Sequence, residues 1–64
     1  MEYLIYVLER NPTQYLRTLE GLELTTDEAS AIIYDSEEQA LMVIDTLDGT
    51  TEFWGTRQPR PKGN

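Results

Sequence analysis

Residues 3–8 form an uninterrupted apolar run, Tyr-Leu-Ile-Tyr-Val-Leu, that is rich in β-branched and aromatic side chains. Side chains alternate between the two faces of a strand, so a strand over residues 3–9 is apolar on both faces. Such a strand needs cover on both sides, either inside a covered sheet or against another molecule. The rest of the chain is interpreted around this strand.

Two further strands and a short helix are predicted before residue 35. Asn11 and Pro12 indicate a turn, and residues 14–19 then form a second strand, antiparallel to the first. Residues 22–24 are left open as a strand extension. Thr25 and Glu28 have the spacing of a capping box, which predicts a helix of one or two turns over residues 26–30. Residues 31–34 are predicted as a third strand.

The main helix is predicted over residues 36–47, opened by a capping pair of Ser36 with Gln39. Its apolar stripe consists of Ala40, Ile44 and Leu47, widened by Leu41 and Val43. Asp48 and Gly49 end it, with the glycine at the usual left-handed position. Residues 51–56 are predicted as the last strand.

The element order is β-β-short α-β-α-β, which predicts an α+β domain with a small, mostly antiparallel sheet and one main helix on one face. The domain is expected to cover residues 1–56. Residues 57–64 contain Pro59, Pro61 and Gly63 and no apolar residue that would anchor them, so a flexible basic tail is predicted there.

The chain has 64 residues and neither cysteine nor histidine. A domain of this size has a thin stability margin, and here neither a disulfide nor an imidazole or thiolate metal ligand is available to add to it. The N-terminal residues lack the features of a signal peptide, and no apolar run approaches the length of a membrane span. A soluble cytoplasmic protein is therefore expected.

Charge is distributed unevenly. The first 56 residues hold all 12 acids and only two bases, Arg10 and Arg17, for a net charge of 2 − 12 = −10, and three bases in the last eight residues bring the total to −7. This charge is equally typical of a surface that maintains solubility and of one that engages a basic protein. Direct binding of nucleic acid by the acidic body is not expected, since phosphate would be repelled.

Catalytic and metal-binding groupings are not expected. Nucleophilic catalysis needs a base beside the nucleophile, and the chain has no histidine and a single lysine, Lys62. Asp35, Glu37 and Glu38 lack the spacing of a calcium loop and are more simply interpreted as a helix start. The four glycines are isolated and form no phosphate-binding loop. The sequence thus predicts no enzyme activity, no cofactor and no metal.

A partner-binding surface is the remaining hypothesis. Unlike most soluble helices, the main helix and its flanks carry acids with no lysine among them, and these acids are predicted to form one negative face. The candidates are Asp27, Glu28, Asp35, Glu37, Glu38, Asp45, Asp48 and Glu52.

Aromatic side chains on the strands are the second set of candidate contacts. Tyr6, Tyr15 and Trp54 are predicted to anchor a partner, with Phe53 in the core and Trp54 as the exposed neighbour. Packing of these rings in a homodimer is an equal alternative.

Two segments, Thr-Thr-Asp-Glu-Ala at 25–29 and Ile-Ile-Tyr-Asp-Ser-Glu-Glu-Gln-Ala at 32–40, together carry a resemblance. The pattern resembles small reading frames of phages and other mobile elements, in which a hairpin and a Thr/Asp-rich turn precede a strand and a Ser-x-Glu-x-Ala helix. The likeness covers about residues 2 to 48 in residue classes and transfers no functional residue. It implies an inhibitor of host machinery, of the anti-CRISPR or DNA-mimic kind, that masks a basic surface on a nucleic-acid-handling complex. The alternative is a self-associating accessory module.

Overall fold

The computed structural model describes residues 2–47 and 53–59. Four strands form one antiparallel sheet: β1 (Leu4–Val7), β2 (Tyr15–Thr18), β3 (Glu23–Thr25) and β4 (Trp54–Arg57), in the order β3-β2-β1-β4. One α-helix, α1 (Glu37–Thr46), packs on one face, and a 3₁₀ helix (Glu28–Ser30) lies between β3 and α1. The predicted α+β class is confirmed. No helix among the described residues is long and apolar enough to cross a bilayer.

Strand β1 is central, and the chain itself covers both of its faces. Ile5 packs with Leu16 of β2 and with Ala40 on the side of α1. Leu4 packs on the opposite side with Tyr15 and with Ala31, which follows the 3₁₀ helix. The apolar alternation of β1 is therefore explained by a sheet with cover on both faces.

The segment left open at residues 22–24 belongs to a strand, since β3 pairs with β2. The turn before it is closed by the amide of Leu22, which donates to the Leu19 carbonyl at 3.2 Å. Gly21 has a φ of 79° in this turn, a conformation that glycine adopts without steric cost.

The short helix begins later than the sequence predicts. Its N-cap is Asp27, whose carboxylate accepts from the Ala29 amide at 3.0 Å. Thr25 instead accepts from the Asp27 amide at 3.0 Å, so the predicted capping box of Thr25 with Glu28 is wrong. An aspartate at the N-cap competes well with a threonine two residues earlier.

The strand predicted over residues 31–34 is wrong. The segment carries the chain from one face of the sheet to the other, because Ala31 packs on Leu4 whereas Tyr34 packs in the cluster that α1 covers. Its backbone forms no strand ladder: the Ile32 amide donates to the Leu16 carbonyl at 3.0 Å, and Tyr34 and Tyr3 exchange hydrogen bonds of 2.7 and 2.9 Å in an isolated bridge.

The main helix is confirmed, as Glu37–Thr46 with Leu47 as its C-cap. Ala40 and Leu47 are buried and Val43 and Ile44 are partly buried, but Leu41 is exposed, so the buried stripe is narrower than predicted. Asp48 and Gly49, the predicted helix end, lie outside the described residues.

The last strand is shifted toward the C-terminus relative to the prediction over 51–56. It pairs with β1 from Val7↔Trp54 to Leu4↔Arg57, so Arg57 belongs to the sheet and not to a tail. Residues 51 and 52 and the remaining predicted tail residues 60–64 lie outside the described residues.

Candidate functional site

The N-terminus of α1 is fixed by side-chain capping. Ser36 is the N-cap, and its hydroxyl accepts from the Gln39 amide at 3.2 Å. Gln39 reaches back to accept from the amide of Asp35, also at 3.2 Å, one residue before the position expected for a capping box. These caps fix where α1 begins, so that Glu37 and Glu38 lie in its first turn. Carboxylates at that position interact favourably with the helix dipole.

Three carboxylates of α1 form an exposed acidic surface. Glu37, Glu38 and Asp45 are all exposed, and Glu38 and Asp45 are seven residues apart, so they lie on one side of the helix. Within the described part of the chain, none of the three is in an ion pair. We call Glu37, Glu38 and Asp45 the helix acids.

The other predicted acids lie elsewhere. Glu28 belongs to the 3₁₀ helix on the opposite side of the sheet, where it accepts from Arg57 at 2.8 Å. Asp27 is exposed beside it and is engaged as a cap, accepting also from the Ser30 hydroxyl at 3.1 Å. Asp35 is exposed just before α1. The described acids are thus divided between two sides of the sheet, while Asp48 and Glu52 lie outside the described residues.

Arg57 organises the sheet face opposite α1. Its guanidinium donates to Glu28 and, through Nη2, to the Tyr15 hydroxyl oxygen at 2.9 Å. It also lies over two aromatic rings, 5.3 Å from the centroid of Tyr15 and 5.8 Å from that of Tyr6. Ion pairing, hydrogen bonding and cation–π attraction therefore meet at one residue. The sequence did not indicate this role, because Arg57 begins the basic, proline-rich segment that was predicted to be a flexible tail.

The aromatic candidates are less accessible than the sequence predicts. Tyr15 is buried and Tyr6 is partly buried, with its ring over Gly55. Phe53 is 70% exposed, whereas Trp54 is partly buried and packs in the core under α1. The predicted exposure of this pair is therefore wrong. The strand register determines which of the two side chains is buried, because Trp54 pairs with Val7 and faces the helix.

A shallow apolar groove runs beside α1. It has a volume of about 340 Å³ and is lined by Tyr34, Gln39, Met42 and Val43. Met42 is 64% exposed, although its neighbour Val43 is partly buried. The Tyr34 hydroxyl is buried without a hydrogen-bond partner among the described residues, and burial raises the pKa of this phenol above 10.0.

No metal centre is formed by the described residues. Three or more acidic side chains do not converge anywhere within residues 2–47 and 53–59 in a way that would hold an ion. The surface of α1 presents exposed carboxylates beside exposed apolar side chains.

Comparisons of the chain with protein-family models, with curated proteins and with solved structures give no match. No relative therefore supplies a functional residue.

Proposed function

We propose that this chain is a non-enzymatic binding protein that uses the helix acids to engage and mask a basic surface on a partner protein. The observation that carries the proposal is that Glu37, Glu38 and Asp45 are exposed on one helix and are in no ion pair with any described cation. Carboxylates held in this way steer association with a positively charged surface.

The partner class follows from the same chemistry. Strongly basic grooves are typical of proteins that bind nucleic acid, since they neutralise phosphates with lysine and arginine. A helix that carries exposed carboxylates competes for such a groove. The proposed role is that of an inhibitor of a nucleic-acid-handling complex, of the DNA-mimic or anti-CRISPR kind that the resemblance to phage and mobile-element proteins implies.

Affinity capture from a bacterial lysate tests the proposal. The tagged protein is used as bait at about 0.1 M and about 0.5 M salt, a range that shortens the screening length from roughly 10 Å to under 5 Å. A nucleic-acid-handling complex is expected at low salt, and it should be released by added DNA. Recovery of the bait alone under both conditions would contradict the proposal.

Matched variants show whether the helix acids carry the interaction. The test variant has Glu37→Gln, Glu38→Gln and Asp45→Asn. The control has Glu2→Gln, Glu9→Gln and Glu20→Gln at exposed positions outside α1. Both variants change the net charge from −7 to −7 + 3 = −4, so the total charge lost is the same and its position differs. Capture is expected to fail with the first bait and to persist with the second.

Self-association is a second candidate, favoured by one observation. Leu8 and Phe53 are 40% and 70% exposed, and they are neighbours because the Leu8 amide donates to the Phe53 carbonyl at 2.7 Å. An apolar patch at the end of β1 is a suitable contact for a second copy. This candidate predicts a mass in solution that rises with concentration and falls in the Phe53→Ser variant. A molecular mass that stays at the monomer value at every concentration would rule out self-association.

A further inference from the structure

The groove beside α1 is continuous with an exposed apolar strip of the helix. Met42 lines the groove and is 64% exposed, and the adjacent Leu41 is 51% exposed. Methionine is flexible and polarizable, so it adapts its shape to an incoming apolar side chain. Gln39 contributes an amide to the lining and lies one turn before Met42 and Val43.

Carboxylates flank this strip at both ends. Glu38 precedes Met42 by four residues and Asp45 follows it by three, spacings at which side chains are neighbours on a helix surface. The helical rise separates Glu38 from Asp45 by about 10 Å. Both are exposed and neither is in an ion pair within the described residues, so the strip has a charge pattern that complements cations at its two ends.

From this arrangement we infer that the groove is the anchor point of the proposed interaction: it takes one apolar side chain of a basic helical segment whose lysines or arginines flank that side chain and contact Glu38 and Asp45. The inference rests on the proposed function and names the partner's chemistry. Cations at positions i and i+7 of a partner helix are also about 10 Å apart, with a residue at i+3 between them on the same side. The acids guide the encounter, and burial of the apolar side chain against Met42 adds affinity.

Two synthetic helical peptides of about 15 residues test the inference by titration at about 0.05 M salt, where charge attraction is little screened. Both have lysines seven positions apart. The first has leucine three residues after the first lysine, and the second has glutamine there. Binding is followed by nuclear magnetic resonance of the full chain, with the Met42 methyl assigned by Met42→Ala. The control is Phe53→Ala, which removes a more exposed apolar side chain away from the groove.

The leucine peptide is expected to bind at least about fivefold more tightly than the glutamine peptide, a difference of about 1 kcal/mol. It should shift the Met42 methyl and the Gln39 amide. Met42→Ala should abolish this preference, and Phe53→Ala should preserve it.

Equal binding of the two peptides, or equal effects of Met42→Ala and Phe53→Ala, would overturn the inference and leave the charge-based function standing. If neither peptide binds, both the inference and the charge-based function would be overturned.

Discussion

The guanidinium of Arg57 and the carboxylate of Glu28 lie 2.8 Å apart although 29 positions separate them in the chain. This contact joins the end of an edge strand to the 3₁₀ helix on the sheet face opposite α1. Arg57 also donates to the Tyr15 hydroxyl at 2.9 Å, so one side chain connects three separate segments. We expect this connection to stabilise the fold, because both partners of the ion pair are about three-quarters buried, with exposed fractions of 25% and 27%.

Replacing Arg57 with methionine keeps an apolar stem over the aromatic rings and removes the charged donor. We expect the free energy of unfolding to fall by about 1 to 2 kcal/mol, since Glu28 and the Tyr15 hydroxyl lose their donor. The control is Arg17→Met, which breaks an ion pair with Glu23 whose members are 58% and 59% exposed. A change below about 0.5 kcal/mol is expected there because water and salt screen the pair. Urea unfolding measures both, and equal losses would contradict the assigned role of Arg57.

Gly55 leaves room for the Tyr6 ring across from it. A Cβ atom at this position would lie 2.9 Å from Cζ of Tyr6, 3.0 Å from its hydroxyl oxygen and 3.1 Å from Cδ2 of Leu8. Gly55→Ala should lower the free energy of unfolding by about 1 to 3 kcal/mol, the usual cost of overpacking.

The cost of Gly55→Ala should shrink when Tyr6 is replaced by leucine, because that removes the nearest clashing atoms. A double-mutant cycle by urea unfolding measures this coupling. Gly21→Ala is a useful contrast, since Gly21 has a φ of 79° and open space around it, so its penalty should be independent of Tyr6. Full additivity of the Tyr6 and Gly55 changes would refute the steric explanation.

Two tyrosines should respond oppositely to loss of the hydroxyl. The Tyr34 hydroxyl is buried with no described partner, so Tyr34→Phe removes an uncompensated desolvation cost and should raise the free energy of unfolding by about 1 kcal/mol. The Tyr15 hydroxyl accepts from Arg57, so Tyr15→Phe should lower it by a similar amount, about 1 kcal/mol. Chemical denaturation measures both changes in the free energy of unfolding. Changes of the same sign in the two variants would contradict the assigned environments of the two hydroxyl groups.

Tyr34 also makes stability depend on alkaline pH. Burial raises the pKa of its phenol in the folded chain, so at alkaline pH the folded chain holds this proton more tightly than the unfolded chain does. The stability that this proton-linked difference gives the folded chain is fully present below the pKa of Tyr34 in the unfolded chain. It is lost as the pH rises from there through the pKa of Tyr34 in the folded chain. As the pH rises through and beyond about 10, the free energy of unfolding should therefore fall more steeply in the wild type than in Tyr34→Phe, whereas the two should run parallel near about pH 8. Parallel curves would contradict this.

The strongly patterned elements were predictable from the sequence. The apolar alternation of β1 and the Ser36 cap of α1 are local signals, and both elements are found within two residues of the predicted bounds. The antiparallel pairing of β1 with β2 followed from the turn at Asn11 and Pro12. These features depend on neighbours in the chain and need no knowledge of the fold.

Other features depend on strand register, which a single sequence does not specify. Alternation placed Phe53 and Trp54 on opposite faces, but only the pairing of Trp54 with Val7 determines which of them meets the helix. The same pairing brings Arg57 beside Leu4 and into the sheet. The apolar segment at 31–34 has strand composition, yet it crosses from one face of the sheet to the other. Among the site residues, the exposed position of the helix acids was predictable, whereas the engagement of Glu28 by Arg57 was not.

The association rate of the captured partner tests most directly whether the helix acids recognise it. Charge reversal by Glu37→Lys, Glu38→Lys and Asp45→Lys is compared with Glu2→Lys, Glu9→Lys and Glu20→Lys, and each set moves the net charge from −7 to −7 + 6 = −1. At about 0.1 M salt we expect the helix variant to associate at least about tenfold more slowly than the control, because steering depends on where the charge lies. Equal association rates in the two variants would contradict the account.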